Sequence, residues 1–162
     1  MTTLPTAGLP TEAFHFHVGI IVTDFAAAQD RLSQLLGVEW ARVLELEEYQ
    51  VELGDGSKLT VPNKMCYSVG DPHLELIQEV PGTPWVTNEH SNLHHIGFWS
   101  ADLAGESARF SAVGCPMAMR GRDGDAVPVS FAYHDDPLGV RIEPLDAALR
   151  PTIESFLFQP PS

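Results

Sequence analysis

Hydrophobic and polar positions alternate at the start of the chain and then change to a helical spacing. The alternation predicts a strand over residues 14–22 with one wholly apolar face, formed by Phe14, Phe16, Val18, Ile20 and Val22. The other face carries a mixed set, namely His15, His17, Gly19 and Ile21. Asp24 is a suitable helix N-cap, residues 25–36 carry apolar side chains at helical spacing, and Gly37 is a suitable stop. The chain therefore opens with a strand, a cap, a helix and a glycine.

The next segment, residues 38–80, predicts strands and no further strong helix. Glycine-containing turns at 54–56 and 70–72 separate the strand candidates, which are Val38–Leu46, Tyr49–Leu53, Leu59–Asn63, Met65–Val69 and His73–Val80. The order is therefore β-α-β-β-β, with Leu59–Asn63 as an extra extended piece. Residues 1–13 read as a loose leader, and residues 81–92, rich in proline and turn residues, predict a linker.

The opening pattern then recurs. The run that starts at His17 resembles a second run that starts at His95, 78 residues later. At this offset Gly19 matches Gly97 and Asp24 matches Asp102. A second helix is predicted over about 103–113, with strands at Pro116–Arg120, Val127–His134 and Val140–Leu145. A unit that occurs twice predicts two fused βαβββ modules, over residues 14–80 and 93–146. The tail, residues 147–162, contains an apolar run at 156–158 that covers either an apolar surface of the chain or a partner chain.

Composition and charge narrow the functional classes. The 162 residues, 44% of them hydrophobic, suit one soluble globular domain or two small units that share a core. The formal net charge of −13 argues against nucleic-acid and membrane-surface partners. Cys66 and Cys115 are expected to be small core residues and not a disulfide or a zinc site. Neither a secretory signal nor a long apolar run is evident, so a cytoplasmic protein is expected.

The two modules share a layout of candidate metal ligands. Each module opens on a histidine, His17 or His95, and closes on a glutamate in an apolar strand, Glu75 or Glu143. An ionised carboxylate among buried neighbours is costly unless it is paired or bound to a metal. Taken singly, each of these residues is more often structural, but the coincidence across the repeat favours a shared site. Two imidazoles and two carboxylates suit one divalent ion such as Zn²⁺, Ni²⁺, Co²⁺, Mn²⁺ or Fe²⁺.

These motifs resemble the vicinal oxygen chelate superfamily, which includes glyoxalase I, methylmalonyl-CoA epimerase, extradiol dioxygenases and bleomycin-resistance proteins. The run from His17 to Asp24, followed by a helix that ends in Leu35-Leu36-Gly37, is similar to the family's first strand and helix. The run from Leu93 to Phe98 is similar to the opening of its second half, and is nearest to the epimerase branch. The resemblance covers about residues 14–146. It implies an α+β fold in which two βαβββ modules form curved mixed sheets around a metal-containing cleft.

The resemblance also implies a ligand set and a reaction. Carried over position by position, the family's metal ligands fall on His17, Glu75, His95 and Glu143. His94 is the rival of His95, and His15 is a residue that lines the cavity without binding metal. The implied activity is that of a metal-dependent isomerase, epimerase or lyase that acts on a small carbonyl compound through a metal-stabilised enolate. Glu143 is the candidate general base, and the Glu47-Glu48 pair is the alternative.

Other functions stay open at this stage. One is a binding protein that sequesters a drug-like ligand, and another is a natural-product cyclase or oxygenase of the same fold. The sequence shows no clear basic cluster of the kind that relatives use for glutathione or coenzyme A. Its aromatic residues near the strands would suit a neutral ring compound: Trp40, Tyr67, Trp85, Trp99, Phe131 and Tyr133. A small-molecule substrate and a homodimer are expected from the family.

Overall fold

The computed structural model describes residues 16–123 and 129–157. The strands are β1 (His17–Val22), β2 (Leu44–Leu53), β3 (Lys58–Tyr67), β4 (His73–Gln78), β5 (Leu93–Ser100), β6 (Met117–Gly121), β7 (Ala132–Asp135) and β8 (Arg141–Asp146). The helices are α1 (Phe25–Leu36), α2 (Leu103–Ala112) and α3 (Arg150–Leu157), with a 3₁₀ turn at Ala147–Leu149. The predicted leader, His15, the start of the predicted strand Val127–His134 and the end of the tail lie outside the described residues.

Both predicted helices are confirmed, together with the acidic residue that caps each one. Asp24 accepts a hydrogen bond from the Ala27 N–H at 3.0 Å, and Asp102 accepts one from the Gly105 N–H at 2.9 Å. Helix α1 ends at Gly37, which has the left-handed conformation (φ 67°) that glycine adopts without steric cost. The repeat in the sequence is thus a repeat of the local folding signals.

The strands form a single closed barrel in the order β1-β4-β3-β2-β6-β7-β8-β5. Within the two halves β1 pairs with β4, and β5 with β8, in parallel. Two antiparallel pairs, β1 with β5 and β2 with β6, join the halves. The α+β fold of two βαβββ modules with curved mixed sheets is confirmed, and the two sheets join edge to edge so that the predicted cleft becomes the barrel interior.

Four of the strand predictions were wrong in their bounds. The predicted strands Val38–Leu46 and Tyr49–Leu53 are one continuous strand, β2, which begins only at Leu44. The pairing of β2 with β3 shifts register between Leu46 and Tyr49, where Glu47 and Glu48 lie. These two polar residues, which suggested a turn, therefore lie at a bulge within the strand. The extra piece Leu59–Asn63 and the predicted strand Met65–Val69 likewise merge into β3.

Both faces of β1 are covered, which explains why its pattern carries apolar residues on each side. His17, Gly19 and Ile21 are buried, and Ile21 belongs to the main core inside the barrel. Val22 packs with Phe25 of α1 in a smaller cluster outside the barrel, against which Ile20 also lies. Ile20 and Val22, from the face that looked wholly apolar in the sequence, therefore lie under the helix, whereas Phe16 belongs to the main core, and the mixed face points into the barrel.

The tail folds back on the barrel that precedes it. Leu149 and Ile153, from the 3₁₀ turn and α3, pack against the main core. The described part of the tail thus covers an apolar surface of its own chain, the first of the two alternatives. Cys66 and Cys115 are free and buried, as predicted. None of the described helices is long and apolar enough to cross a membrane.

The paired caps give a test of the repeat. Substitution Asp24→Ala or Asp102→Ala removes the acceptor for one free N–H at a helix start, and we expect each to lower the free energy of unfolding by about 1 kcal/mol. Chemical denaturation measures the change. Asp30→Ala, an exposed position inside α1, is the control and should change the stability by less than either cap variant. Equal effects at all three positions would contradict the assigned caps.

Candidate metal centre

The four candidate ligands lie on four neighbouring strands. The order β4-β1-β5-β8 places Glu75, His17, His95 and Glu143 around the joint between the two halves. In one row across the sheet Gly19 of β1 lies between Glu75 and His95. In the adjacent row Gly97 of β5 lies between His17 and Glu143. The repeat therefore acts as a local twofold symmetry that brings two copies of one ligand pair together.

The side chains of these residues converge on one point inside the barrel. His17 Nε2 lies 2.8 Å from His95 Nε2, 3.3 Å from Glu75 Oε2 and 2.9 Å from Glu143 Oε2. His95 Nε2 lies 3.1 Å from each of the same two oxygens. The four side chains are at most 5% exposed. All four predicted ligands are thus brought together, although the two histidines are 78 residues apart in the chain.

Two glycines make room for the histidines. A Cβ atom added to Gly19 would lie 1.9 Å from Cε1 of His95, and one added to Gly97 would lie 2.2 Å from Cε1 of His17. Each imidazole therefore lies over the bare backbone of the opposite strand. The sequence repeat identified both glycines, and the structure supplies the reason for them, which is close approach and not an unusual backbone angle.

The donor set fits a divalent ion better than a closed network of hydrogen bonds. Two imidazole nitrogens that face each other share one proton at most, and Glu75 Oε2 and Glu143 Oε2 have no hydrogen-bond partner of acceptable geometry among the described residues. Such buried oxygens are costly unless a cation satisfies them. Ligand atoms bound to one ion at about 2.0–2.2 Å lie about 3–3.5 Å apart. The distances of 2.8–3.3 Å from the histidine nitrogens to one another and to the two glutamate oxygens are close to that spacing.

The electrostatics of the cluster also favour a cation. Burial opposes the charged form of every member, yet the carboxylates of Glu75 and Glu143 outweigh it and raise the pKa of His17 to about 10. The pKa of His95 is raised in the same way, chiefly by Glu143 against the effect of burial. Burial would raise the pKa of Glu75, but His17 and His95 hold it well below its usual value. The carboxylates are therefore ionised at neutral pH, and an ion that binds must displace protons from the histidines.

His94 has a different position from its rival His95. Its Nδ1 lies 2.9 Å from Nδ1 of His95, and its Nε2 contacts the carbonyl oxygen of Pro84 at 2.7 Å and the guanidinium of Arg141. Burial, His95 and Arg141 lower the pKa of His94 to about 3, so its ring is neutral. The ring of His94 thus orients the ring of His95 from behind, and only His95 reaches the cluster.

A cavity of about 260 Å³ opens beside the cluster. Glu75 and Glu143 line it, and most of its remaining wall is aliphatic or aromatic. Glu47 and Glu48 are exposed and do not line it, so Glu75 and Glu143 are the only carboxylates among its described lining residues.

Sequence reasoning missed two parts of the cavity wall. One is Asn63, whose signal was a polar residue at an inward position between Val61 and Met65. The other is formed by Leu149 of the 3₁₀ turn and by Ile153 and Phe156 of α3. The spacing of these three residues is helical, but a short segment after the second module carried no cap signal strong enough to predict a helix.

Comparisons with known proteins agree with this architecture. The sequence model of the glyoxalase/bleomycin resistance protein/dioxygenase superfamily matches residues 16–133. A variant of the methylmalonyl-CoA epimerase of Streptomyces coelicolor, in complex with 2-nitronate-propionyl-CoA, is 18% identical with a TM-score of 0.57, over 85% of this chain and 96% of that chain. The Mycobacterium tuberculosis methylmalonyl-CoA epimerase is 19% identical with a TM-score of 0.54, over 90% and 97%.

A mutant of 4-hydroxymandelate synthase from Streptomyces coelicolor is similar as well. It is 17% identical with a TM-score of 0.50, over 84% of this chain and 39% of that chain. At such identities the likeness concerns the fold. The search of curated proteins gave no match.

The contact between Gly97 and His17 yields a quantitative test. Substitution Gly97→Ala places a methyl group inside the space of the imidazole, and we expect it to lower the free energy of unfolding by about 1–3 kcal/mol, as overpacking does. In a His17→Ala background the obstacle is absent, so the same substitution should cost little. Chemical denaturation of the four proteins of this double-mutant cycle measures the coupling. An equal penalty in both backgrounds would show that the glycine is required for another reason.

Proposed function

The chain belongs to the glyoxalase/bleomycin resistance protein/dioxygenase superfamily, and we propose that it is a metal-dependent isomerase, epimerase or lyase that acts on a small carbonyl compound through an enolate. The observation that carries this proposal is the buried group of His17, Glu75, His95 and Glu143 beside the cavity. A binding protein that only sequesters a ligand would not need four converging donors at the wall of its cavity.

These four residues would hold one divalent ion of the type that nitrogen and oxygen ligands favour, Zn²⁺, Ni²⁺, Co²⁺, Mn²⁺ or Fe²⁺. Such an ion supplies Lewis-acid chemistry, since it polarises a carbonyl and stabilises negative charge on the oxygen when the neighbouring carbon loses a proton. His94 would keep the ring of His95 in place, as partners of metal-bound histidines commonly do.

Glu143 is the proposed general base. Its carboxylate lines the cavity and is ionised, because His95 and His17 hold its pKa below the usual value against the opposing effect of burial. From this position it would take the proton from the carbon next to the carbonyl and return it. Return to the opposite face of the same carbon gives epimerisation, and return to the neighbouring carbon gives isomerisation.

The tyrosines of the site would act as neutral hydrogen-bond donors. Burial and the nearby carboxylates raise the pKa values of Tyr67 and Tyr133 well above the usual value, so both phenols stay protonated. The Tyr133 oxygen accepts a hydrogen bond from the Trp85 indole at 3.0 Å, which leaves the hydroxyl hydrogen of Tyr133 for another acceptor. A substrate oxygen in the cavity would be such an acceptor.

The substrate is proposed to be a small molecule, and a homodimer stays a prediction from the family. All four candidate ligands come from one chain and meet inside one barrel. A dimer would therefore not be needed to complete the site.

Metal content is the first test. We expect the protein purified without chelator to carry about one divalent ion per chain, and Glu143→Gln and His95→Ala to lose it, because each removes one ligand. His94→Ala should keep the ion with an affinity weakened about 10–100-fold. Elemental analysis and metal titration measure both quantities. Glu47→Gln removes an exposed carboxylate and is the matched control for Glu143→Gln.

Two results would contradict the proposed metal site. One is wild-type protein without a stoichiometric ion whose melting temperature does not respond to added metal. The other is full metal retention in His95→Ala with loss in His94→Ala, which would exchange the roles of the two histidines.

Proton transfer can be followed with 2-hydroxyacetophenone, a carbonyl compound with two neighbouring oxygens. In deuterated water the metal-loaded protein should exchange the protons next to its carbonyl without oxygen uptake, and the rate in Glu143→Gln, loaded with excess metal, should fall about 10²–10⁴-fold. Nuclear magnetic resonance and an oxygen electrode measure the two signals. Oxygen consumption in place of exchange would favour oxygenase chemistry, and unchanged exchange in Glu143→Gln alongside loss in Glu75→Gln would assign the base to Glu75.

A further inference from the structure

The described wall of the cavity offers no counter-charge to an anionic ligand. Its described lining residues include no lysine, arginine or histidine, while two of them are the carboxylates Glu75 and Glu143. Two arginines on the surrounding strands each have a carboxylate partner outside the cavity. Arg141 pairs with Asp135 at 2.7 Å, and Arg120 with Glu52 at 2.8 Å.

The net charge of the cluster with a bound divalent ion also argues against an anionic ligand. Two carboxylates and one divalent ion sum to zero, so no surplus positive charge remains for a carboxylate or phosphate of the ligand. An anionic ligand would add an uncompensated charge to a buried site, which is costly.

The walls of the cavity suit a ring. Tyr49 and Phe131 are nearly parallel, with an angle of 16° between their planes, and Trp85 is inclined by 26° to Tyr49, with centroids 6.3 Å apart in each pair. These three aromatic faces therefore point in similar directions and offer a flat ligand an offset stacking surface. The volume of about 260 Å³ is near the lower end for ligand pockets, and it favours a compound of one or two rings.

A second polar group lies away from the cluster. Asn63 is 4% exposed and lines the cavity. Tyr67, four positions along β3 from Asn63, is in register with Glu75. At about 3.3 Å per residue the amide and the carboxylate end are roughly 13 Å apart along the strand. An amide that both donates and accepts recognises a hydroxyl or carbonyl without needing charge.

We propose that the cavity selects an uncharged aromatic or alicyclic carbonyl compound, whose adjacent oxygens lie at the Glu75–Glu143 end and whose distal hydroxyl or carbonyl is bound by Asn63. This inference rests on the proposed function for the orientation of the ligand. The selected class differs from the ligand of the methylmalonyl-CoA epimerase solved with methylmalonyl-CoA, which carries a carboxylate and phosphates. Asn63 is here a specificity-determining residue and not a catalytic one.

Three probes separate charge from shape. 2-Hydroxyacetophenone and benzoylformate share a ring and two neighbouring oxygens, but only benzoylformate is an anion. We expect the metal-loaded protein to bind the neutral probe at least about tenfold more tightly, as measured by calorimetry. 2,4′-Dihydroxyacetophenone adds a distal hydroxyl and should bind about three- to tenfold more tightly than 2-hydroxyacetophenone.

The variant Asn63→Leu, similar in size, removes the amide and should abolish only the gain from the distal hydroxyl. Gln50→Leu, at an exposed position of β2, is the matched control and should leave all three affinities unchanged. Equal or tighter binding of benzoylformate, or no binding of either neutral probe to metal-loaded protein, would overturn the proposed ligand class. A gain from the distal hydroxyl that persists in Asn63→Leu would overturn the role of Asn63.

The same measurements distinguish failure of this inference from failure of the proposed function. Protein that retains no metal but still prefers the neutral probes would contradict the metal-dependent reaction and support the ligand class. Protein that retains its metal but prefers benzoylformate would contradict the ligand class and support the metal site of the proposed function.

Discussion

The close antiparallel approach of β1 and β5 is the constraint on which the rest of the structure depends. At this joint Gly19 accommodates the ring of His95, and Gly97 accommodates the ring of His17. The same pair of strands joins the two halves, so the barrel closes where the histidines meet. Any larger residue at either glycine would push the strands or the rings apart. Closure of the barrel therefore also assembles the site, and the stability of the barrel is coupled to the polar cluster at its centre.

Burial of the cluster costs free energy, and the surrounding barrel keeps the cluster buried. Four titratable side chains are removed from water, and the two facing oxygens of Glu75 and Glu143 lack hydrogen-bond partners among the described residues. A cation would relieve this cost, and the largely apolar wall of the cavity next to it would strengthen the electrostatic effect of that cation. The tail contributes to this wall through Ile153 and Phe156 of α3.

Much of the fold could be predicted because its signals are local. The capped helices follow from Asp24 and Asp102, each placed directly before an apolar helical pattern. Strand bounds were less accurate around Glu47 and Glu48, because a bulge hides a continuous strand behind two polar residues that resemble a turn. Helix α3 was missed since it is short and is stabilised by packing of Leu149 and Ile153 on the barrel, a contact between segments that no local pattern encodes.

The sequence by itself determined the repeated module and the four candidate ligands. A duplicated pattern of His17 with Glu75 and His95 with Glu143 is visible without coordinates, because each module repeats the same order of strands and helix. Only the tertiary structure showed that His94 lies behind His95, excluded Glu47 and Glu48 from the cavity, and placed Asn63 within it. The physical reason is that periodicity assigns a side chain to a face of its strand, whereas its neighbours depend on which strands pair and in which register. Closure of the barrel fixes that register and, with it, the chemistry of the interior.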